Sequence, residues 1–258
     1  MPERGWVPAP RYALRRERAL FHARRAYAAA RSAGPLAEPP RAVEIGPGSG
    51  AFLLDLAELG FECAAAEPSP EARAFAHSTV EANRRIEIQA DIQPHWREGF
   101  DLLVASEVLE HIEDDVGALR TWRGLLRRGG WALVSVPAHA AKWDATDVWA
   151  GHVRRYDRGP LRERLEESGL AVESLESYGF PLANLVAPFR RLAHAHARAD
   201  TPARATAASG VVRTWETRLF PLQASGPGRF LFRVAARLQQ KFLHRDFGNG
   251  LLAVARRR

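Results

Sequence analysis

The short apolar stretch Ala42-Val43-Glu44-Ile45 runs directly into Gly46-Pro47-Gly48-Ser49-Gly50, and Ala51 to Leu59 then continues with helical spacing and stops at Gly60. A strand, a bare-backbone turn and a helix in immediate succession constrain this chain more than any other feature. Glycine at such a turn accepts dihedrals that other residues avoid, lets a ligand approach the main chain, and sets a helix N-terminus beside it. The alternation repeats downstream. Phe61 to Ala66, Arg85 to Gln89, Phe100 to Ala105, Trp131 to Val136 and Leu170 to Tyr178 read as strands, and Pro70 to Thr79, Val116 to Leu126 and Leu161 to Glu167 as helices. Leu102-Leu103-Val104-Ala105 is apolar at every position, the pattern of a strand covered on both faces. Strands alternating with helices predict an α/β fold with a parallel sheet wound on both sides. A last strand, Leu251 to Ala255, follows only after about seventy residues, far more than an ordinary connection.

Composition narrows the class. The 258 residues are 46% hydrophobic and 26% charged, which excludes a disordered chain, a collagen-like repeat and a bare coiled coil. The single cysteine, Cys63, excludes a disulfide framework and a cysteine-based metal site. No apolar run reaches the roughly eighteen residues of a membrane span, and Met1 to Arg31 has no apolar core of a secretory signal. The expectation is a cytoplasmic protein, with peripheral contact at the inner membrane surface as a further option. The net charge of +7 is unevenly placed: +6 in residues 1–41, −10 in 42–176 and +11 in 177–258. An acidic middle between basic ends predicts different jobs for the core and its appendages, either solvated surface or contact with something anionic.

The organisation follows from these breaks. Residues 1–40 form an N-terminal helical cap, with Arg11 to Arg31 as a helix ended by Gly34-Pro35 and followed by the Pro39-Pro40 linker. Residues 41–178 and 248–258 form the sheet domain, and 179–247 a helical insertion or lid. Within the insertion, Leu182, Leu185, Val186, Phe189 and Leu192 mark one amphipathic helix. A second, over 229–243, has Phe230, Leu231, Val234, Leu238 and Phe242 on one face and Arg229, Arg233, Arg237 and Lys241 on another. It either packs on the sheet or lies on an anionic membrane surface. Ala199 to Gly210, between them, is rich in Ala, Thr and Ser, and predicts a mobile stretch.

The glycine turn alone is a weak signal. Gly46-x-Gly48-x-x-Ala51, with Glu67 nineteen residues past Gly48, also fits a dinucleotide fingerprint, so a NAD-binding oxidoreductase stays open. The hydride chemistry of short-chain dehydrogenases needs Tyr-x-x-x-Lys, and none of Tyr12, Tyr27, Tyr156 and Tyr178 has Lys four residues on. Glu67 ends the second strand, where a carboxylate can accept hydrogen bonds from ribose hydroxyls. Asp91 follows the third, where a second carboxylate can receive an adenine amino group. With the Gly129-Gly130 turn, these elements in this order resemble class I S-adenosylmethionine-dependent methyltransferases of the type 11/12-like group. The resemblance implies a Rossmann-like seven-stranded, mostly parallel sheet with helices on both faces, residues 249–255 supplying an antiparallel last strand. It implies S-adenosyl-L-methionine as cofactor. Gly46, Gly48 and Gly50 would meet its amino-acid end, and Glu44 stands at the motif I acid. Glu67 stands at the ribose ligand, Asp91 with Ile92 at the adenine contact, and Ser106-Glu107 at the segment after strand four.

Glu107-Val108-Leu109-Glu110-His111 carries a second constellation. If a helix begins near Ser106, Glu107, Glu110 and His111 share one face, at the strand end where ligands of open α/β sheets bind. Glu-x-x-Glu-His is similar to ubiquinone-pathway O-methyltransferases and to small-RNA 3′-end methyltransferases. The latter resemblance implies a divalent metal, Mg2+ or Mn2+, on Glu107, Glu110, His111 and a later His, here His152. The alternative is that these side chains line the methyl-donor pocket without metal. The loop after strand five holds Trp143, Asp144, Arg154, Arg155 and Tyr156, and resembles a Trp…Asp…Gly-His-x-Arg-Arg-Tyr segment of bacterial methyltransferases. These five residues are the candidate substrate shell. In-line methyl transfer would use His111 or His152 as base, or a metal that acidifies the acceptor hydroxyl. The expected acceptor is an oxygen of a small or lipid-linked metabolite, with C- and N-methylation open. An RNA 3′-end ribose methyltransferase is the alternative, although the acidic core and the lack of an added RNA-binding motif speak against nucleic acid. A non-catalytic cofactor-binding protein remains a third option. The sequence leaves the oligomeric state open.

Overall fold

A computed structural model of the chain describes residues 10–33, 38–81, 83–185 and 226–258. The strands are β1 (Arg41–Ile45), β2 (Glu62–Ala66), β3 (Ile86–Gln89), β4 (Phe100–Ser106), β5 (Leu126–Pro137), β6 (Leu170–Tyr178) and β7 (Gly250–Arg257). They form one sheet in the order β3-β2-β1-β4-β5-β7-β6. β1 to β5 pair in parallel, whereas β7 runs antiparallel between β5 and β6. This is the Rossmann-like sheet that the resemblance implied, and its order reverses between β1 and β4, the crevice where ligands of such sheets bind.

Both faces are covered, and the central strands carry apolar side chains on each. Val43, Leu103, Val134 and Ala253 face a layer containing Leu119 and Trp122 of α4 (Asp115–Leu125) and Leu161 and Leu165 of α6 (Arg158–Glu167). Ala42, Leu102, Val104, Leu133 and Val254 face the other layer, which contains Ala23 and Ala26 of α1 (Pro10–Ala33) and Leu53 and Leu56 of α2 (Ala51–Glu58). On that side α3 (Pro70–Val80) adds Ala76 and Val80. Each buried aliphatic side chain contributes roughly 1.5–3 kcal/mol relative to exposure, so these two layers dominate the stability of the sheet.

Several expectations need adjustment. β5 begins at Leu126 rather than Trp131, because the chain leaves and rejoins the ladder around Gly129-Gly130: Phe100 pairs with Leu126 and Leu102 already with Trp131. Gly129 takes φ 77°, and a Cβ at Gly130 would lie 2.9 Å from the Arg127 carbonyl. The loop after β5 contains a short helix, α5 (Ala145–Ala150), started by a capping box in which Asp144 and Asp147 hold each other's backbone. The second amphipathic segment forms α7 (Gly226–Gln240). It packs on α1 rather than on the sheet, and Gln239 donates through its side-chain amide to the Leu14 carbonyl at 3.3 Å. The face that the spacing predicts to be buried is open: Phe230, Leu231, Val234 and Leu238 are 62%, 54%, 42% and 38% exposed. The side chains of Arg229 and Arg233, the residues Val186, Phe189 and Leu192, and the stretch 199–210 lie outside the described residues. Among the described residues no helix is long and apolar enough to cross a membrane.

Candidate active site

The turn between β1 and α2 is built from three left-handed glycines, Gly46 (φ 64°), Gly48 (φ 53°) and Gly50 (φ 73°). A side chain at Gly46 would meet Val108 Cγ2 at 2.7 Å, so the turn lies against the segment that follows β4. At Gly48 nothing lies within 4 Å of a virtual Cβ, and the backbone there faces open space. Glu67, just past β2, is buried beside this turn. Its Oε2 accepts from the Gly48 amide at 3.4 Å and its Oε1 from the Ser69 amide at 3.0 Å, so backbone donors orient the carboxylate. Asp91 follows β3 at the same edge of the sheet and is exposed, and Ile92 beside it packs partly onto the core. Glu44 lies deeper, in β1. Burial pushes its carboxyl up to about 8, and its Oε2 is buried with no hydrogen-bond partner. A bare backbone cradle, an oriented carboxylate and an orphaned buried oxygen fit a nucleoside with a charged amino-acid tail, on Gly46, Gly48, Gly50, Glu44, Glu67 and Asp91.

Beyond β4 the local structure departs from expectation. No α-helix starts at Ser106. The half-buried Ser106 ends the strand opposite Ser135, Glu107 turns into the left-handed region (φ 58°), and only a 3-10 turn follows, Leu109–His111. Glu107 therefore does not share a face with Glu110 and His111. Its carboxylate accepts from the Tyr178 hydroxyl and lies 3.5 Å from Ser135 Oγ. Glu110 is fully buried and points with His111 toward the loop after β5.

That loop returns because the Val153 amide donates to the Glu110 carbonyl at 2.8 Å, which brings His152 to His111 with ring centroids 4.8 Å apart. Both imidazoles are oriented through Nδ1. His111 Nδ1 donates to the Gly151 carbonyl at 3.0 Å, and His152 Nδ1 donates to Asp147 Oδ1 at 2.8 Å. Each Nε2 then carries the lone pair. His152 Nε2 stands 3.8 Å from Glu110 Oε1, and one ligand atom each from Glu110, His111 and His152 lie within 4.8 Å of one another. Burial lowers the pKa of His111, outweighing the Gly151 bond, and so favours the neutral ring. Burial opposes ionisation of Asp147, but hydrogen bonds from His152 and Arg155 hold its carboxyl well below the usual carboxylate range.

The five residues of the candidate substrate shell separate. Arg155 pairs with Asp147 at 2.7 Å and lies 3.9 Å from Asp144, whose side chain caps α5. Arg154 and Tyr156 converge instead on the buried Asp115 of α4, at 2.6 and 2.9 Å, and lock the loop to the sheet domain. Trp143 is exposed. Asp147, Ser135 and Tyr178 hold candidate residues in place; from sequence, Ser135 and Tyr178 had no role in the site, and Asp147 was placed in the loop after strand five without being assigned one. Only Asp147 left a signal, as the second acid of Asp144-x-x-Asp147.

Residues 12–175, more than half of the chain, match the sequence pattern of the family described as methyltransferase domain. The chain belongs to that family. Over 122 residues this methyltransferase chain is 31% identical to the ubiquinone biosynthesis O-methyltransferase of Xanthomonas campestris pv. campestris (strain B100), covering 45% of this chain and 50% of the relative. It thus spans about half the length of the curated relatives it matches. An S-adenosylmethionine-dependent methyltransferase from Mesorhizobium loti superposes with TM-score 0.53 at 21% identity, over 92% of this chain and all of the other. Haemonchus contortus phosphoethanolamine N-methyltransferase 2, in complex with S-adenosyl-L-methionine, superposes with TM-score 0.51 at 14% identity, over 98% of this chain and 60% of the other. At these identities the structural likeness carries the fold alone.

Proposed function

We propose that this methyltransferase domain transfers a methyl group from S-adenosyl-L-methionine to an oxygen of a small or lipid-linked acceptor, with His152 as the base. When bound, the cofactor supplies a methyl group on a sulfonium leaving group. The chain's own task is to align the acceptor, exclude water and take up one proton. The observation that carries the reading is the Asp147–His152 pair. Asp147, held ionised by Arg155, fixes the tautomer that leaves Nε2 free to accept a proton. The proton then sits on Nε2, with Glu110 Oε1 3.8 Å away. Oxygen as the methylated atom is supported by the names of the curated relatives, whose products it describes. Parallel calorimetric titrations with S-adenosylmethionine and NAD test the cofactor class. Binding of the nicotinamide and not of the sulfonium would sink the reading.

A second reading keeps the same acceptor and gives the slot to a cation. Glu110, His111 and His152 offer one carboxylate and two imidazoles, each imidazole already held through Nδ1, an arrangement that suits Mn2+ over Mg2+. A cation there would lower the pKa of an acceptor hydroxyl, and Glu107, the fourth ligand by resemblance, is turned toward Tyr178. For a lipid-linked acceptor, the exposed apolar side chains of α7 beside the exposed Arg237 and Lys241 support peripheral contact with an anionic membrane. Co-sedimentation with anionic and neutral vesicles tests that contact.

A further inference from the structure

Tyr178 ends β6, which β5 and β7 separate from β4, yet its fully buried ring crosses β7 and its hydroxyl donates to Glu107 Oε1. The crossing is possible because β7 begins with Gly250: a Cβ there would run into Cζ and the hydroxyl of Tyr178. Glycine inside a strand weakens it, so this one marks the passage of a ring. The next residue, Gly179, is fixed in turn: its amide donates to Gln239 of α7 at 2.6 Å. At the far end Glu107 holds φ 58°, a left-handed conformation that residues with a side chain rarely adopt. Its amide donates to the Ser135 carbonyl at 2.9 Å. Glu107 is thus placed from three strands in a backbone state it would not choose alone.

The place matters. Val108 packs on Gly46 of the glycine turn, and the Glu107 charge acts on His111. Glu107 therefore stands between the glycine turn and the histidine pair. A sulfonium methyl donor carries a positive sulfur. Once the carbon–sulfur bond breaks and the pair of electrons stays on sulfur, the product is a neutral thioether.

We propose that Tyr178 is a positioning residue that holds the Glu107 carboxylate toward the sulfonium, so that the site favours the charged methyl donor over the spent thioether. The inference rests on the methyltransferase reading and deepens it. A carboxylate beside the sulfonium does not speed transfer, because it stabilises the charged ground state. It promotes exchange of product for fresh donor, a specificity role.

The test needs no acceptor. Calorimetric titration of wild type, Glu107→Gln, Tyr178→Phe and the double variant with S-adenosylmethionine and with S-adenosylhomocysteine gives the ratio of the two affinities for each protein. The expected result is a fall of about tenfold in preference for the sulfonium in Glu107→Gln, and about threefold in Tyr178→Phe. The double variant should resemble Glu107→Gln, since Tyr178 acts through that carboxylate. A merely structural role would weaken both ligands together and leave the ratio unchanged, and that outcome overturns the inference. Phe keeps the ring in place, and Glu107→Gln alone decides the case if Tyr178→Phe melts early. If wild type binds neither ligand, the methyltransferase reading falls and the inference with it. If wild type binds both and no ratio moves, only the inference falls.

Discussion

His152 Nδ1 donates to Asp147 Oδ1 at 2.8 Å, and Arg155 grips the same carboxylate at both oxygens, at 2.8 and 2.7 Å. Asp147→Asn removes the charge and can present an amide N–H to Nδ1, which moves the imidazole proton to Nε2. Turnover on a panel of hydroxyl-bearing acceptors should fall by roughly 10²–10⁴-fold, with S-adenosylmethionine binding retained in calorimetry. A variant that turns over at the wild-type rate would remove His152 from the role of base.

The histidine pair also makes a prediction about cations. Mn2+ titrated into metal-free protein should bind at one site, and Glu110→Gln or His152→Ala should weaken it by tenfold or more, as losing one ligand does. Electron paramagnetic resonance of free Mn2+ reads this directly. Unchanged free Mn2+ in the presence of wild-type protein leaves the base reading alone in place.

Glu44 is predicted to make stability fall with rising pH. Its folded pKa is raised by burial to about 8, so the folded state binds more protons than the unfolded chain. Its contribution is complete below the unfolded value near 4.5 and is lost as pH rises through about 8. Each pH unit in that window costs up to about 1.4 kcal/mol. Glu44→Gln should flatten the dependence of urea midpoints on pH between about 5 and 8; parallel curves for the two proteins would contradict it.

Glu176 works in the opposite sense. It is buried between Arg18 and His22 of α1, at 2.8 and 2.9 Å. Burial would raise its pKa, but the bonds from His22 and Arg18 bring it down to about 2. The stability it lends is present above about 4.5 and is lost as pH falls toward 2. Breaking such a buried pair from one side costs about 3–5 kcal/mol, so Glu176→Gln should lower the melting temperature at pH 7 and much less at pH 3. Proteolysis within α1 should accelerate at pH 7 in that variant.

The sheet was legible in the sequence wherever physics acts locally. Leu102 to Ala105 is apolar at each position because β4 is covered on both faces, and Glu67 and Asp91 fall at the carboxyl edge of the sheet because β2 and β3 end just before them. The segment Glu107 to His111 was ambiguous because five residues suit either a helical face or a 3-10 turn, and the left-handed Glu107 decides between them. Asp147 was visible as an acid but not as the partner of His152, since Asp-x-x-Asp is an uncommon capping box. The Tyr178–Glu107 bond left no local trace, because it exists only once β7 has entered the sheet with a glycine at the crossing. The open face of α7 reads in sequence like any buried helix stripe, since spacing does not say which neighbour arrives.

The antiparallel β7 lies between β5 and β6, so residues 170–178 can join the sheet only after residues 250–257 have left the ribosome. At synthesis rates of about 5–20 residues per second, the nascent chain spends several seconds with the edge of β5 uncapped and β6 without a strand partner. During that interval β1 to β3, which carry the proposed nucleoside cradle, are already synthesised, while the tyrosine that crosses the last strand has nothing to cross. In the proposed donor site the cradle therefore precedes the carboxylate clamp in time.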